Sequence, residues 1–537
     1  MLKSILSGIL LLTSSLLSAQ STFNYIVELE PLNVPGLPGL HSYAFAQDNG
    51  KWLMIGGRLD GLHARQPFNA FPASQNNAEL FVIDVNNTQF WTAPLSVLPV
   101  SIREQLQSTN MNFHQSGDTL YLIGGYAFSA TANDHITFPN LTTIQVSSVI
   151  DAVVNGTSYT SYFKQITDNN FAVTGGQLGY LNGTFYLVGG QRFDGRYNPM
   201  GNPTFTQQYT DEIRKFTIDN SGAQLSYANY STVNDPVHLH RRDYNLLPQI
   251  FPDGTPGFTI SSGVFQQGVD LPFLYPVDIT PNGYTPQTTF SQYLSNYHSA
   301  KACLYDSVEN RMHNLFFGGI SQYYYQNGNL IQDNEVPFVK TISRLTRSAD
   351  STLQEYQLPV EMPALKGAGA EFILNRNLPF YDNLEIIKLN QIQQDTVLIG
   401  HIYGGILSPS LNPFTNNQTN TTSADNSIYA VKLIRDTSTG SFLIDGANPY
   451  SISIYPNPAD THFFVEYELE KPVSVRYYVS GTNGELIGQG EVLKKQIGVN
   501  KLKLSIPAGT PRQTLFVTFE FDGRHYVNSK VAMGSQK

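Results

Sequence analysis

Five times along the chain a short apolar run stops at a pair of glycines. The runs are WLMIGG at Trp52–Gly57, TLYLIGG at Thr119–Gly125, FYLVGG at Phe185–Gly190, NLFFGG at Asn314–Gly319 and GHIYGG at Gly400–Gly405. Glycine weakens the interior of a strand, so a pair that returns at the same place in each run points to a bend or a close backbone approach. Recurrence at this range marks an internal repeat, and the repeat governs every other reading of the chain.

Each glycine-ended run has a partner just upstream. HSYAFA precedes QDNG and KWLMIGG, and GGQLGY precedes LNG and TFYLVGG. Asn-Gly tolerates positive φ, so these joints read as tight hairpins. A third strand follows a long loop in each unit: ELFVIDV, LTTIQVS, DEIRKFTID, FLYPVDI, FVKTISRL and SIYAVKLI. A fourth often follows, as in TQFWTAPL and AQLSYANY. Four strands per unit is the pattern of a β-propeller blade, and six third strands give six blades. In the fourth blade Ser262-Gly263 stands where the others carry two glycines, and the sixth has an insertion, Arg376 to Gln394, between its first two strands. Glycine pairs recur every 55 to 85 residues or so, longer than the ~50 of a minimal kelch unit. The arrangement resembles the kelch-type β-propeller family over about Phe23 to Arg435, although the tryptophan expected late in each unit survives only at Trp91. The last repeat ends after its third strand, while FNYIVELEPL at Phe23–Leu32 has no partner. That strand is expected to complete blade six and remove an open edge.

The fold class expected is therefore all-β: a six-bladed kelch-like propeller over residues 20–435, a linker at 436–449, and a small β-sandwich at 450–537. The last module consists of short alternating strands separated by turns. Its YPNPA at Tyr455–Ala459, with NGELIGQG and NSKVAM further on, resembles the C-terminal sorting domain (type A) of the Bacteroidetes type IX secretion system. SGTNGE and TLFVTFEF depart from that family's usual Asp before the glycine turn and Gly-hydrophobic-Tyr strand. The resemblance implies the type IX machinery as a partner for residues 450–537. At the other end, MLKSILSGILLLTSSLLSAQ has a lysine, an apolar stretch and a small-residue site, the plan of a secretory signal peptide over residues 1–19. Export to the medium or the outer cell surface is expected, with no transmembrane segment, since no later run approaches ~18 apolar residues.

Charged residues make up only 14% of the 537, and the net charge is −10. No basic footprint for nucleic acid exists. One cysteine, Cys303, excludes an intrachain disulfide. No HExxH, GxSxG, P-loop or Cys-His zinc spacing appears, so no catalytic residue, cofactor or metal is assigned. Strand direction puts the blade-to-blade linkers and the long loops after the glycine pairs on one face, and such loops on a rigid scaffold are where recognition usually sits. The binding residues expected there are Arg58, His63, His114, Tyr126, His135, Arg192, Arg196, Arg241, Arg242, His298, Tyr323 and Tyr324. The function expected is a secreted or surface binding or adhesion protein that recognises a glycan or a protein on this face. The alternative is a carbohydrate-active enzyme, of the kind of a sialic-acid epimerase-like kelch protein or a lyase, using Arg and His at the channel mouth. That alternative needs an acid-base pair converging in the funnel.

Overall fold

The computed structural model describes residues 23–199, 204–326, 329–435, 450–469, 471–482, 485–492, 496–521 and 525–534. The signal-peptide and linker readings lie outside these residues. Two compact units are present, one over Val27–Ile434 and one over the described residues from 450 onward.

The first unit consists of six antiparallel four-strand meanders laid out in chain order. Their first strands are Ala44–Asp48, Asn112–Ser116, Gln177–Leu181, Asn245–Ile250, Ala300–Asp306 and Glu371–Leu374. All six wall one central cavity, which makes them the inner strands of a closed propeller. The second strands are buried along most of their length, as in Trp52–Ile55 and Phe185–Val188, because each blade is covered on both faces by its neighbours. The sixth meander runs Glu371–Leu374, Thr396–Tyr403, Ile428–Arg435 and then Tyr25–Leu32 from the other end of the chain. The unpaired N-terminal strand does close the ring. Lys432 and Glu30 form an ion pair across this last joint.

A ring of backbone hydrogen bonds encircles the channel mouth, one residue from each blade. The amide of Asn110 donates to Ser42 O (3.0 Å), Gly175 to Asn110 O (3.2 Å) and Asp243 to Gly175 O (2.7 Å). His298 then donates to Asp243 O (2.8 Å), Gly369 to His298 O (3.1 Å) and Ser42 to Gly369 O (2.8 Å). The ring has no open end. Five members, Ser42, Asn110, Gly175, Asp243 and Gly369, sit at φ between 51° and 68°. Short polar residues and glycine are the types that enter this region at low cost.

The glycine pairs work against the same seam. The second glycine donates to the neighbouring blade: Gly57 to Ser108 O, Gly125 to Val173 O, Gly190 to Arg241 O, Gly263 to Asn296 O and Gly405 to Leu40 O. The first faces a carbonyl so closely that a side chain cannot fit: a Cβ on Gly124 would lie 1.7 Å from Val173 O, and one on Gly404 would lie 2.1 Å from Leu40 O. The repeated pair is thus the price of backbone-to-backbone contact between blades. Ser262 (φ 54°) and Gly263 (φ 97°) carry out the same turn in blade four.

Three features lay outside the sequence reading, the first a short helix at Val100–Leu106 that buries Ile102 and Leu106 in the core of the first two blades. A helix at Val146–Asn155 buries Val149, Ile150 and Val153 against the core of the first two blades. The insertion in blade six forms short strands at Phe380–Tyr381 and Ile386–Lys388, and the latter pairs in parallel with the inner strand of blade five. Blade five thereby becomes a six-strand sheet, and Asn383, Leu384 and Glu385 line the cavity on the side of the tight turns.

In the C-terminal unit one sheet holds Ile452–Tyr455, His462–Leu469 and Gly498–Ser505. A second holds Leu486–Glu491, Val475–Ser480, Thr514–Phe521 and His525–Ala532. Phe463, Val465 and Tyr467 from the first meet Leu515, Val517 and Phe519 from the second in one core.

Gly124→Ala is expected to destabilise the propeller by more than ~3 kcal/mol, a value reached only by core-scale defects. Gly117→Ala, also at positive φ but with open space around it, should cost about 1 kcal/mol. Urea unfolding of the two variants checks this; equal losses would mean that the blade contact does not matter.

Candidate functional site

The long loops of the recognition face are folded arms. Tyr126–Ser129 pairs with Asp134–Thr137, Gln191–Gly195 with Phe205–Tyr209, and Tyr323–Gln326 with Asn329–Gln332. On blade six, Ile406–Ser408 joins Leu365–Ala368 and Ser423–Ala424. The arms grip one another across blades. His63 stacks on Phe71 (ring centroids 4.8 Å apart) and meets Tyr197 (4.7 Å) and Phe414 (5.5 Å) edge-on. This single ring joins blades one, three and six. Arg196 Nε donates to Ala70 O (2.8 Å), Arg65 Nη1 to Thr415 O (3.1 Å) and the Tyr126 hydroxyl to Gly195 O (2.8 Å).

Several residues expected to meet a ligand are committed to this frame. Arg58 is buried, chelates Asp60 through Nε (2.7 Å) and Nη2 (2.6 Å), donates to Asn76 Oδ1 (2.9 Å) and lies over Phe71. Arg241 is fully buried. It donates to the carbonyls of His238, Ser262 and Tyr275 and stacks over Phe273 and Tyr275, so it holds blade four's entry and has no route to solvent. His135 is buried, with Nε2 2.8 Å from Phe71 O. Tyr126 is buried among Phe71, Phe193 and His135. The physical reason is common to all four: long arms need internal anchors, and Arg, His and Tyr combine apolar bulk with donors for loop carbonyls.

The remaining candidates are reachable. Arg192 is half exposed and donates to Asp194 Oδ2 (2.6 Å). Arg242 pairs with Asp243, donates to the Tyr209 hydroxyl (3.1 Å) and lies over Phe265. Tyr323 packs edge-on against Tyr293, and Tyr324 beside it is half-buried.

His298 and His114 face the axis. His298, with Ser42, Asn110, Asp243 and Gln177, lines a small upper space just inside the amide ring. His298 Nε2 lies 2.9 Å from Glu371 Oε1, a carboxylate on the neighbouring inner strand. Glu371 and His114 line the larger cavity below, where Arg376 of the insertion donates to Gln47 O (3.2 Å), Gln115 Oε1 (3.1 Å) and Glu385 Oε1 (2.6 Å). Neither His298 Nε2 nor Glu371 Oε1 has a hydrogen-bond partner among the described residues, so the carboxylate and the imidazole lie side by side on the axis without a hydrogen bond between them to fix the ring. Glu371, Gln177 and Lys301 escaped the sequence reading, because one inner-strand residue carries no periodic signal of its own. The register to the ring residues would have found them: each blade places the residue two or three positions after its ring member on the channel. Among the described residues no cluster of His, Cys, Asp and Glu could hold a metal ion, and no helix is long and apolar enough to cross a membrane.

No family model and no curated protein matches the chain. Solved structures show loose likenesses. YjhT aligns at 12% identity and a TM-score of 0.41, over 75% of this chain and 99% of its own. Drosophila semaphorin 2a aligns at 9% and 0.33, over 95% and 98%. A Bacillus subtilis glycoside hydrolase family 43 arabinoxylan arabinofuranohydrolase aligns at 11% and 0.29, over 94% and 95%. At such scores the strand order and the closed amide ring, rather than the likeness, establish the fold.

Burial holds several imidazoles neutral. It lowers His41, His63, His114 and His401 from the usual 6.5 to about 4, and it also holds His313 well below its ordinary value. Between pH 6.5 and 4 the unfolded chain takes up protons at these rings that the folded chain refuses. Stability therefore falls as the pH drops through that window. His401 shows the effect alone, since burial against Trp52 is its sole cause. His401→Phe is expected to remove on the order of 2–3 kcal/mol of the loss between pH 7 and pH 4. Denaturant titrations at the two pH values measure it; an unchanged pH slope would refute the assignment.

Proposed function

We propose that this is a kelch-like propeller, exported by its signal peptide, that acts as a secreted or cell-surface binding protein. Its long-loop face recognises a glycan or a protein, and residues 450–537 act as the sorting module for the type IX machinery. The observation that carries the recognition reading is the contrast within the face. Its arms are locked together by ring contacts and hydrogen bonds, yet their tips leave large apolar side chains in solvent: Phe68 at 72% exposure, with Tyr325, Leu330 and Leu411. Apolar tips on a preorganised frame favour binding, because little ordering entropy remains to be lost. Arg192, half exposed on the arm of blade three, supplies a charged donor fork on the same face.

A specific geometry favours a second reading, that of a carbohydrate-active enzyme. The His298–Glu371 pair sets a carboxylate 2.9 Å from an imidazole on the channel, the two group types such chemistry draws on. Arg241 takes no part in it.

The test applies the full chain to a glycan array and to surface proteins in pull-downs. Phe68→Ser with Tyr325→Ser is expected to weaken capture at least tenfold, while Val308→Ser in a tight turn of the opposite face leaves it unchanged. Capture indifferent to the arm variants would sink the recognition reading. Turnover of a captured sugar, abolished by Glu371→Gln, would move the assignment to the enzyme.

A further inference from the structure

Counting three residues from each member of the amide ring gives a second, inner tier. Phe45, Phe113, Leu178, Leu246, Lys301 and Phe372 occupy it, and all six line the central cavity. Five are apolar and one is a lysine. Lys301 is half-buried and is the one charge of this tier. Its side chain makes no hydrogen bond or ion pair among the described residues. Of the other charged groups of the cavity, Arg376 pairs with Glu385, and Glu371 lies 2.9 Å from the His298 imidazole. Gln177 and His114, on the inner strands of blades three and two, also line the cavity, and their side chains make no hydrogen bond among the described residues.

The cavity measures about 140 Å³, close to the ~150 Å³ apolar cavity that accepts a benzene ring. Leu384 of the insertion lines it on the side of the tight turns, while Phe113 and Gln177 also border the upper space beneath the mouth. A ligand that fits has one ring-sized apolar body and one negative group. We propose that the propeller axis holds a binding site for a small aromatic monocarboxylate, with the ring inside the phenylalanine collar and the carboxylate on Lys301, assisted by the Gln177 amide. This site lies inside the channel and is separate from the long-loop face.

Benzoate and benzyl alcohol, titrated calorimetrically into the full chain, separate charge from shape. Benzoate is expected to bind saturably and at least tenfold tighter than benzyl alcohol. Lys301→Met should weaken benzoate at least tenfold and leave benzyl alcohol unchanged. Phe113→Trp should fill the collar and abolish both. No saturable benzoate binding, equal affinity for the two probes, or benzoate binding unaffected by Lys301→Met would each overturn the proposal. Should Lys301→Met not fold, the benzoate-to-benzyl-alcohol ratio and Phe113→Trp decide the matter.

Discussion

Each blade passes one amide to the blade before it, and the sixth returns the chain of bonds to the first. A linear set of hydrogen bonds can fray from its ends, but this one has none. Its members polarise one another around the circle, which strengthens each. The geometry also sets demands far from the mouth. Five ring residues must lie at positive φ, and the chain behind them must pass within contact of a neighbour's glycine pair. The glycines, the short polar residues at the strand starts and the number of blades are one constraint seen at three places.

That constraint explains how charge is used. In a low-charge, strand-rich chain, the arginines and histidines of the long arms are scarce donors. The frame takes many of them: Arg58 to Asp60 and Asn76, Arg241 to three carbonyls, Arg196 to Ala70 O. What projects into solvent includes large apolar side chains at Phe68, Tyr325, Leu330 and Leu411, set among exposed polar residues such as Gln208, Asn329 and Asn416. The inner wall follows the opposite rule, with an apolar collar broken by a single ammonium at Lys301.

Fold and site were unequally legible in the sequence. The glycine pairs announced the blades because backbone contact admits no other residue, and the unpartnered Phe23–Leu32 announced the closing strand because a sheet edge must be covered. The helix at Val146–Asn155 was hidden, although its apolar residues at 146, 149, 150 and 153 follow a helical period, because it begins inside a β-branched stretch that reads as strand. The pairing of Ile386–Lys388 with blade five was hidden because it is tertiary. Arg241 was named for its charge at a strand start, but side-chain direction decided its role, and one residue's direction cannot be read from its type. His298 was found at the axis as expected, whereas its partner Glu371 came from a strand whose only mark is its place after Gly369.

The closing strand sets a temporal order on the molecule. Asn426 donates to Leu37 O across 389 residues of sequence, so the last joint is about as non-local as the chain permits, and non-local pairings form late. A chain delivered from its N-terminus keeps Tyr25–Leu32 idle while five blades form without a finished circle. Until residues near 428–435 arrive, the half-built propeller shows a bare strand edge on either side of the gap. The seam between blades one and six is thus the final event of assembly, and the first place where a neighbouring copy could trade strands with it.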